Sequence, residues 1–163
     1  MNAPTSHVEY YVSNPDLVAR MEKGIALEWE CRRVTPEDVE VAAQHRSAFI
    51  VEALGGRPTD SREAVAAGNY FVLRIEGRIV GCGCFNAQLP DCVQLGGIYT
   101  PPAERSRGHA RRLVAGMLRE ARGKGVTRAV LFTNHDNVSA QRAYEAIGFK
   151  RVGDYGLVLW SVS

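Results

Sequence analysis

The spacing of apolar residues changes period several times along the chain, and each change marks an element. Residues 1–13 show no periodicity and read as a loose arm. Asn14-Pro15-Asp16 then supplies a capping residue, a proline for the first helical position and an acid. Gly24 follows Lys23 as a stop, which predicts a short helix over residues 15–23. Residues 25–34 read as a strand. Thr35-Pro36-Glu37-Asp38 opens a long helix, with Thr35 as cap and Asp38 three residues on. Val39, Ala42, Ala43, Phe49, Ile50, Ala53 and Leu54 keep a helical spacing up to Gly55-Gly56. A short helix starts near Asp60, where Glu63 completes a capping box, and stops at Gly68.

From Tyr70 the pattern becomes strand-like. Tyr70–Ile75 and Arg78–Phe85 are joined at Glu76-Gly77, a two-residue hairpin signal. Leu89-Pro90-Asp91 turns the chain into a third strand, Cys92–Thr100, interrupted by Gly96-Gly97. Paired glycines there predict a bulge, or a place where another backbone or a ligand comes close. Pro101-Pro102 ends that strand. A helix from about Arg107 to Arg122 sets Leu113, Val114, Met117, Leu118 and Ala121 on one face. Ala129–Thr133 is a buried-type strand. Asn137 starts a helix whose Ala140, Ala143, Tyr144 and Ile147 face one way, until Gly148 ends it. Phe149–Val152 and Leu157–Trp160 close the chain as two strands around Gly153-Asp154-Tyr155-Gly156. Strands and helices in this order imply the α/β class: a mixed sheet with helices on both faces.

Composition narrows the field. The 163 residues suit one compact domain, and 45% apolar with 23% charged residues is the make-up of a soluble globular chain. Apolar runs reach only about five residues, too short for a membrane span. The first twenty residues carry no apolar run behind a basic start, so the expected location is cytoplasmic, without membrane association. A formal net charge of +2 argues against a nucleic-acid partner. Of four cysteines, Cys31, Cys82, Cys84 and Cys92, two form a C-x-C pair whose side chains share one face of a strand. No second pair matches it at zinc spacing, so the thiols read as reduced and structural, with no metal expected.

Charge is uneven. Between Pro101 and Arg128 lie eight basic residues and two acids, Glu104 and Glu120. Within that stretch Arg105-Ser106-Arg107-Gly108-His109-Ala110-Arg111-Arg112 joins the end of a strand to the start of a helix. The first N–H groups of a helix have no partner within it and lie at the positive end of its dipole. Gly108 and Ala110 let a ligand close to that backbone, which makes the turn a ready anion site, above all for a pyrophosphate. Downstream, Asn137-Val-Ser-Ala140-Gln-Arg-Ala-Tyr144-Glu-Ala-Ile-Gly148-Phe149 is a second candidate. Taken alone, Asn137 is an ordinary cap, Tyr144 a core residue and Gly148 a helix stop.

Together, at this spacing and in this strand order, the two segments resemble the GCN5-related N-acetyltransferase (GNAT) superfamily. Arg105-x-x-Gly108-x-Ala110 matches its acetyl-coenzyme A loop, and Asn137-x-x-Ala140-x-x-x-Tyr144-Glu-x-x-Gly148-Phe149 its second cofactor motif. Gly97-Ile-Tyr-Thr-Pro-Pro looks like a branch whose strand ends in V-Y-T-P-P. The resemblance covers residues 25–163 and leaves residues 1–24 as an arm with a short helix.

The resemblance implies a mostly antiparallel seven-stranded sheet with two splayed parallel central strands, here 92–100 and 128–133. It implies acetyl-CoA as co-substrate, its pantetheine arm against Ile98, Tyr99 and Thr100. Arg105, Ser106, Arg107, Gly108, His109 and Ala110 would wrap the pyrophosphate, Arg105 standing where Gln is common. Arg111 or Arg112 would meet the adenosine 3′-phosphate, and Asn137 the cofactor arm. Tyr144 would serve the departing sulfur during direct transfer to an amine, held by a small molecule or a peptide. The base is open. A Glu common on the preceding strand is replaced by Gln94, which cannot take a proton. Glu52 and Asp91 are the candidate carboxylates, while His109 and His135 have no partner that the sequence identifies. An acyl-CoA-binding sensor or interaction module without turnover is the alternative. Related folds often pair through sheet edges, so a homodimer also stays open.

Overall fold

The computed structural model describes residues 5–12 and 28–157. The helix expected over 15–23, the start of the strand expected from residue 25, and residues 158–160 of the last expected strand lie outside them. Among the described residues no helix is long and apolar enough to cross a membrane.

Among the described residues seven strands form one sheet: β1 (Thr5–Val12), β2 (Trp29–Arg33), β3 (Tyr70–Ile75), β4 (Arg78–Gln88), β5 (Cys92–Tyr99), β6 (Arg128–Asn134) and β7 (Lys150–Leu157). Their order across the sheet is β2-β3-β4-β5-β6-β1-β7. Every neighbouring pair is antiparallel except β5 with β6. Four helices complete the described fold: α1 (Val39–Leu54), α2 (Arg62–Ala66), α3 (His109–Gly123) and α4 (Val138–Ile147).

Two expectations are corrected. Residues 5–12 are a strand rather than a loose arm, hydrogen-bonded along both edges, to β6 and to β7. Gly153-Asp154-Tyr155-Gly156 is not a turn between two strands but the middle of β7, held straight by pairing from Gly153↔Glu9 to Gly156↔Ser6. Both segments take their conformation from partners far away in sequence, which a local pattern cannot show.

Strands β3 and β4 are covered on both faces, so they carry buried residues at successive positions. On β3, Phe71, Leu73 and Ile75 join the core under α3 and α4, while Tyr70 and Val72 join the one under α1 and α2. On β4, Cys82 and Cys84 both face the α1 side, as free thiols. Gly81 and Gly83 face the other way for want of room: a Cβ on Gly83 would lie 2.5 Å from Ile98 Cδ1 and 3.1 Å from Met117 Sδ. Glu76 and Gly77 both have positive φ, 49° and 78°, the twisted two-residue turn that the hairpin requires. The short helix α2 is preceded by Ser61 rather than Asp60, whose carboxylate instead accepts the Arg62 N–H.

One joint fixes where α1 begins. Asp38, 1% exposed, accepts from the Thr35 N–H at 2.9 Å, as the capping pattern predicts, and also from the Thr35 hydroxyl at 2.8 Å. It also accepts from Arg74 Nη1 at 2.9 Å and from the guanidinium of Arg32. Burial alone would push its carboxyl up, but Arg32 and Thr35 outweigh that and hold it down to about 2. Strands β2 and β3 and the start of α1 thus share one carboxylate.

Candidate active site

Strands β5 and β6 run parallel and paired from Cys92↔Arg128 to Leu95↔Leu131, and no further. Beyond that point Gly96–Tyr99 and Phe132–Asn134 continue without pairing to each other. The cause lies on the opposite edge of β5. Against β4, Gly96 pairs with Cys84 and Tyr99 with Cys82, so three steps on β5 match two on β4. The extra residue is a bulge, which bends its strand. Gly97 takes φ +60° there, and a Cβ on it would meet Cys84 Sγ at 3.3 Å. Gly96 is needed for another reason: Asn86 lies over it, with Nδ2 2.0 Å from where a Cβ would stand. The diverging strands open a cleft of about 810 Å³, a size ordinary for small-ligand sites.

The mouth of the cleft is the turn into α3. Ser106 and Gly108 both have positive φ, 61° and 75°, and Gly108 caps the helix. Successive residues in alternating conformations cluster main-chain N–H groups into an anion-binding concavity, next to a helix start whose first N–H groups lack internal partners. Glu104 holds the loop in shape. It accepts from Arg107 Nη1 at 3.1 Å and Arg78 Nη1 at 3.3 Å, and lies 3.6 Å from His109 Nε2. Partial burial works against its charge, but Arg107 and Arg78 keep its carboxyl below the usual range. His109 is 5% exposed, and burial together with Arg112 pushes its pKa down, so its ring is neutral at pH 7.

The remaining walls come from α1, β6 and α4. Phe49, Glu52, Ala53 and Leu54 line the cleft from α1. Arg105 reaches across to that wall: its Nη2 donates to Glu52 Oε1 at 2.5 Å, its Nε to the Thr100 carbonyl at 3.0 Å, and its guanidinium lies 5.8 Å from the Tyr99 ring centre. Thr100 Oγ1 is buried without a hydrogen-bond partner among the described residues. Tyr144, 6% exposed, borders the cleft from α4, its ring centre 6.1 Å from that of Phe149. Burial raises its pKa, so its phenol stays protonated and can donate.

This arrangement has known counterparts. The family model described as "Acetyltransferase (GNAT) family" matches residues 27–149. The chain belongs to the GNAT acetyltransferase family. Solved structures share the fold. A GNAT-family protein from Novosphingobium aromaticivorans superimposes with a TM-score of 0.64 at 20% identity, over 93% of this chain and 62% of its own length. The GNAT-family acetyltransferase from Bacillus anthracis gives 0.66 at 20% identity, over 79% and 84%. The yncA protein of Salmonella typhimurium, solved with its cofactor acetyl-CoA, gives 0.64 at 18% identity, over 75% and 79%. The chain thus spans less than two thirds of the Novosphingobium protein. Among curated proteins, none matches this sequence.

Within this GNAT domain the residues read from the sequence fall as follows. Ile98, Tyr99, Thr100, Arg105, Ser106, Gly108, His109, Ala110, Arg111, Asn137 and Tyr144 all line the cleft, as does Glu52. Arg107 does not: its guanidinium turns to Glu104. Between Arg111 and Arg112 the structure separates two roles. Arg112 donates to the Arg107 carbonyl at 2.7 Å, bracing the loop, while Arg111 borders the cleft. Asn137 is the cap of α4, its Oδ1 accepting the Ala140 N–H at 3.1 Å, which leaves its amide N–H groups for other partners.

Asp91 is corrected. It stands at the far end of β5, ion-paired with Arg128 and away from the cleft, because β5 and β6 are still closely paired there. His135 lies 3.2 Å from Asp154 on β7 and does not line the cleft. Gln94 is paired within the ladder, opposite Val130. Phe49 and Glu104 escape the sequence reading. A lone acid inside an arginine-rich loop was the available signal for Glu104. Phe49 looked like any apolar residue of α1.

Proposed function

We propose that this GNAT domain moves an acetyl group from acetyl-CoA directly to a primary amine, both bound at once. The observation that carries this reading is the unpaired stretch of β5 and β6 beyond Leu95 and Leu131, with a helix start at its mouth. Unpaired strand edges offer hydrogen bonds to an amide-bearing arm, and the N–H groups around Gly108 offer them to a diphosphate. Arg105 and Arg111 add charge at the same mouth. The residues present therefore fit acetyl-CoA.

The chemistry then falls to a few groups. Glu52, on the acceptor wall, draws in an ammonium and accepts its proton. The freed amine lone pair attacks the thioester carbonyl carbon, and a C–N bond forms. A main-chain N–H near Ile98 or Tyr99 steadies the oxyanion. The C–S bond breaks, and the leaving sulfur takes a proton from Tyr144; the nitrogen sheds its second proton as the amide forms, which restores the phenol, and the proton on Glu52 passes to solvent. Glu52 is favoured over Asp91 because it borders the cleft. The acceptor is a small molecule or a peptide with an accessible amine.

The test is free-thiol release from acetyl-CoA by purified protein across an amine panel. Release that depends on both substrates is expected. Calorimetric binding of CoA with no turnover across a broad panel would instead mark a binding module, the reading that Gln94 favours by withholding the usual strand carboxylate.

A further inference from the structure

We propose that the Glu52–Arg105 ion pair couples the two substrate sites, each ligand replacing one half of it. The inference rests on the acyl-transfer reading above and adds to it a thermodynamic link. Arg105 belongs to the loop at the cofactor mouth, and Glu52 to the α1 wall that faces the acceptor. They lie 53 positions apart in sequence and meet at 2.5 Å across the cleft. Their side chains are 43% and 48% exposed, so each can exchange its partner without unpacking a core.

The charges decide what exchanges. A diphosphate is an anion and competes with Glu52 for the guanidinium. An acceptor amine arrives as an ammonium and competes with Arg105 for the carboxylate. Whichever ligand comes first must break the pair, and the second finds its partner already free. The cost falls once, so each ligand strengthens binding of the other by the same factor. The second anchor of Arg105, from Nε to the Thr100 carbonyl at 3.0 Å, keeps the guanidinium at the strand end while Nη2 changes partner. Exposed ion pairs are weak, which sets the coupling at about two- to five-fold.

The sign of one substitution separates this exchange from a static brace. Isothermal titration of the full chain with CoA, and with pantetheine as a phosphate-free probe, is compared for wild type, Glu52→Gln, Arg105→Gln and the double variant. Removing the charge of Glu52 frees Arg105 in advance. Glu52→Gln should therefore bind CoA about two- to five-fold more tightly, bind pantetheine as wild type does, and give no gain in the Arg105→Gln background. Unchanged or weaker CoA binding by Glu52→Gln, with its melting temperature preserved, overturns the exchange and makes the pair a fixed support. Wild type that binds no CoA at all refutes the acyl-transfer reading and this inference with it. Wild-type binding without the Glu52→Gln gain refutes the inference alone.

Discussion

Replacing Asp38 by Asn keeps the shape of the side chain and removes its charge, at the point where β2, β3 and α1 meet. The carboxyl is held at about 2 against an ordinary 3.8. A difference of that size corresponds to about 2 kcal/mol of folding stability at neutral pH. Because the folded-state pKa is the lower one, the contribution is complete above the unfolded value near 3.8 and fades as pH falls towards 2. The unfolded chain binds the proton first, which pulls the equilibrium its way. Urea denaturation of wild type and Asp38→Asn should differ by about 2 kcal/mol at pH 7 and at pH 5. At pH 3 the gap should be about half as large. Comparing the two proteins at each pH cancels the other titrating groups. A gap below about 0.5 kcal/mol at pH 7, or one that stays constant down to pH 3, would refute the claim that Arg32 and Thr35 hold this carboxylate ionised.

Three further substitutions probe the site and its support. Tyr144→Phe should lower turnover about 100-fold while leaving CoA affinity close to wild type by calorimetry; unchanged turnover would return Tyr144 to a packing role. Gly108→Glu puts bulk and negative charge where the loop gathers its N–H groups, at a φ of +75° that side chains resist, and should abolish detectable CoA binding. Normal affinity in that variant would remove the loop from the mechanism. Gly116→Ala would set a Cβ 2.2 Å from Cys31 Cβ and 2.6 Å from its sulfur. Overpacking of this kind costs about 1–3 kcal/mol, readable as a lower urea midpoint, and Cys31→Gly in the same background should restore part of it. No loss would mean that α3 and β2 can move apart freely.

The parts legible in the sequence are those that local chemistry settles. Glu76-Gly77 made its hairpin, Gly96-Gly97 its bulge, and Asn137 its cap, since each depends on residues within a few positions. The loop from Arg105 to Ala110 was legible for the same reason. What stayed hidden depends on partners distant in the chain. Residues 5–12 have no clean alternation, yet β6 and β7 pair them from more than a hundred residues away. The two candidate carboxylates were indistinguishable on paper. Asp91 is occupied by Arg128, and Glu52 meets Arg105 across the cleft. The turn of the Arg107 guanidinium towards Glu104, away from the cleft, likewise had no signal in the sequence.

The position of β1 has a consequence for how the molecule is made. Among the described residues it lies between β6 and β7, and β7 reaches the sheet only through it. During synthesis Thr5 to Val12 is therefore complete long before β7 and cannot be covered on both sides until Leu157 has been made. Throughout that interval one ribbon of bare main chain waits for its second neighbour, and removing residues 5–12 would cast β7 adrift as well.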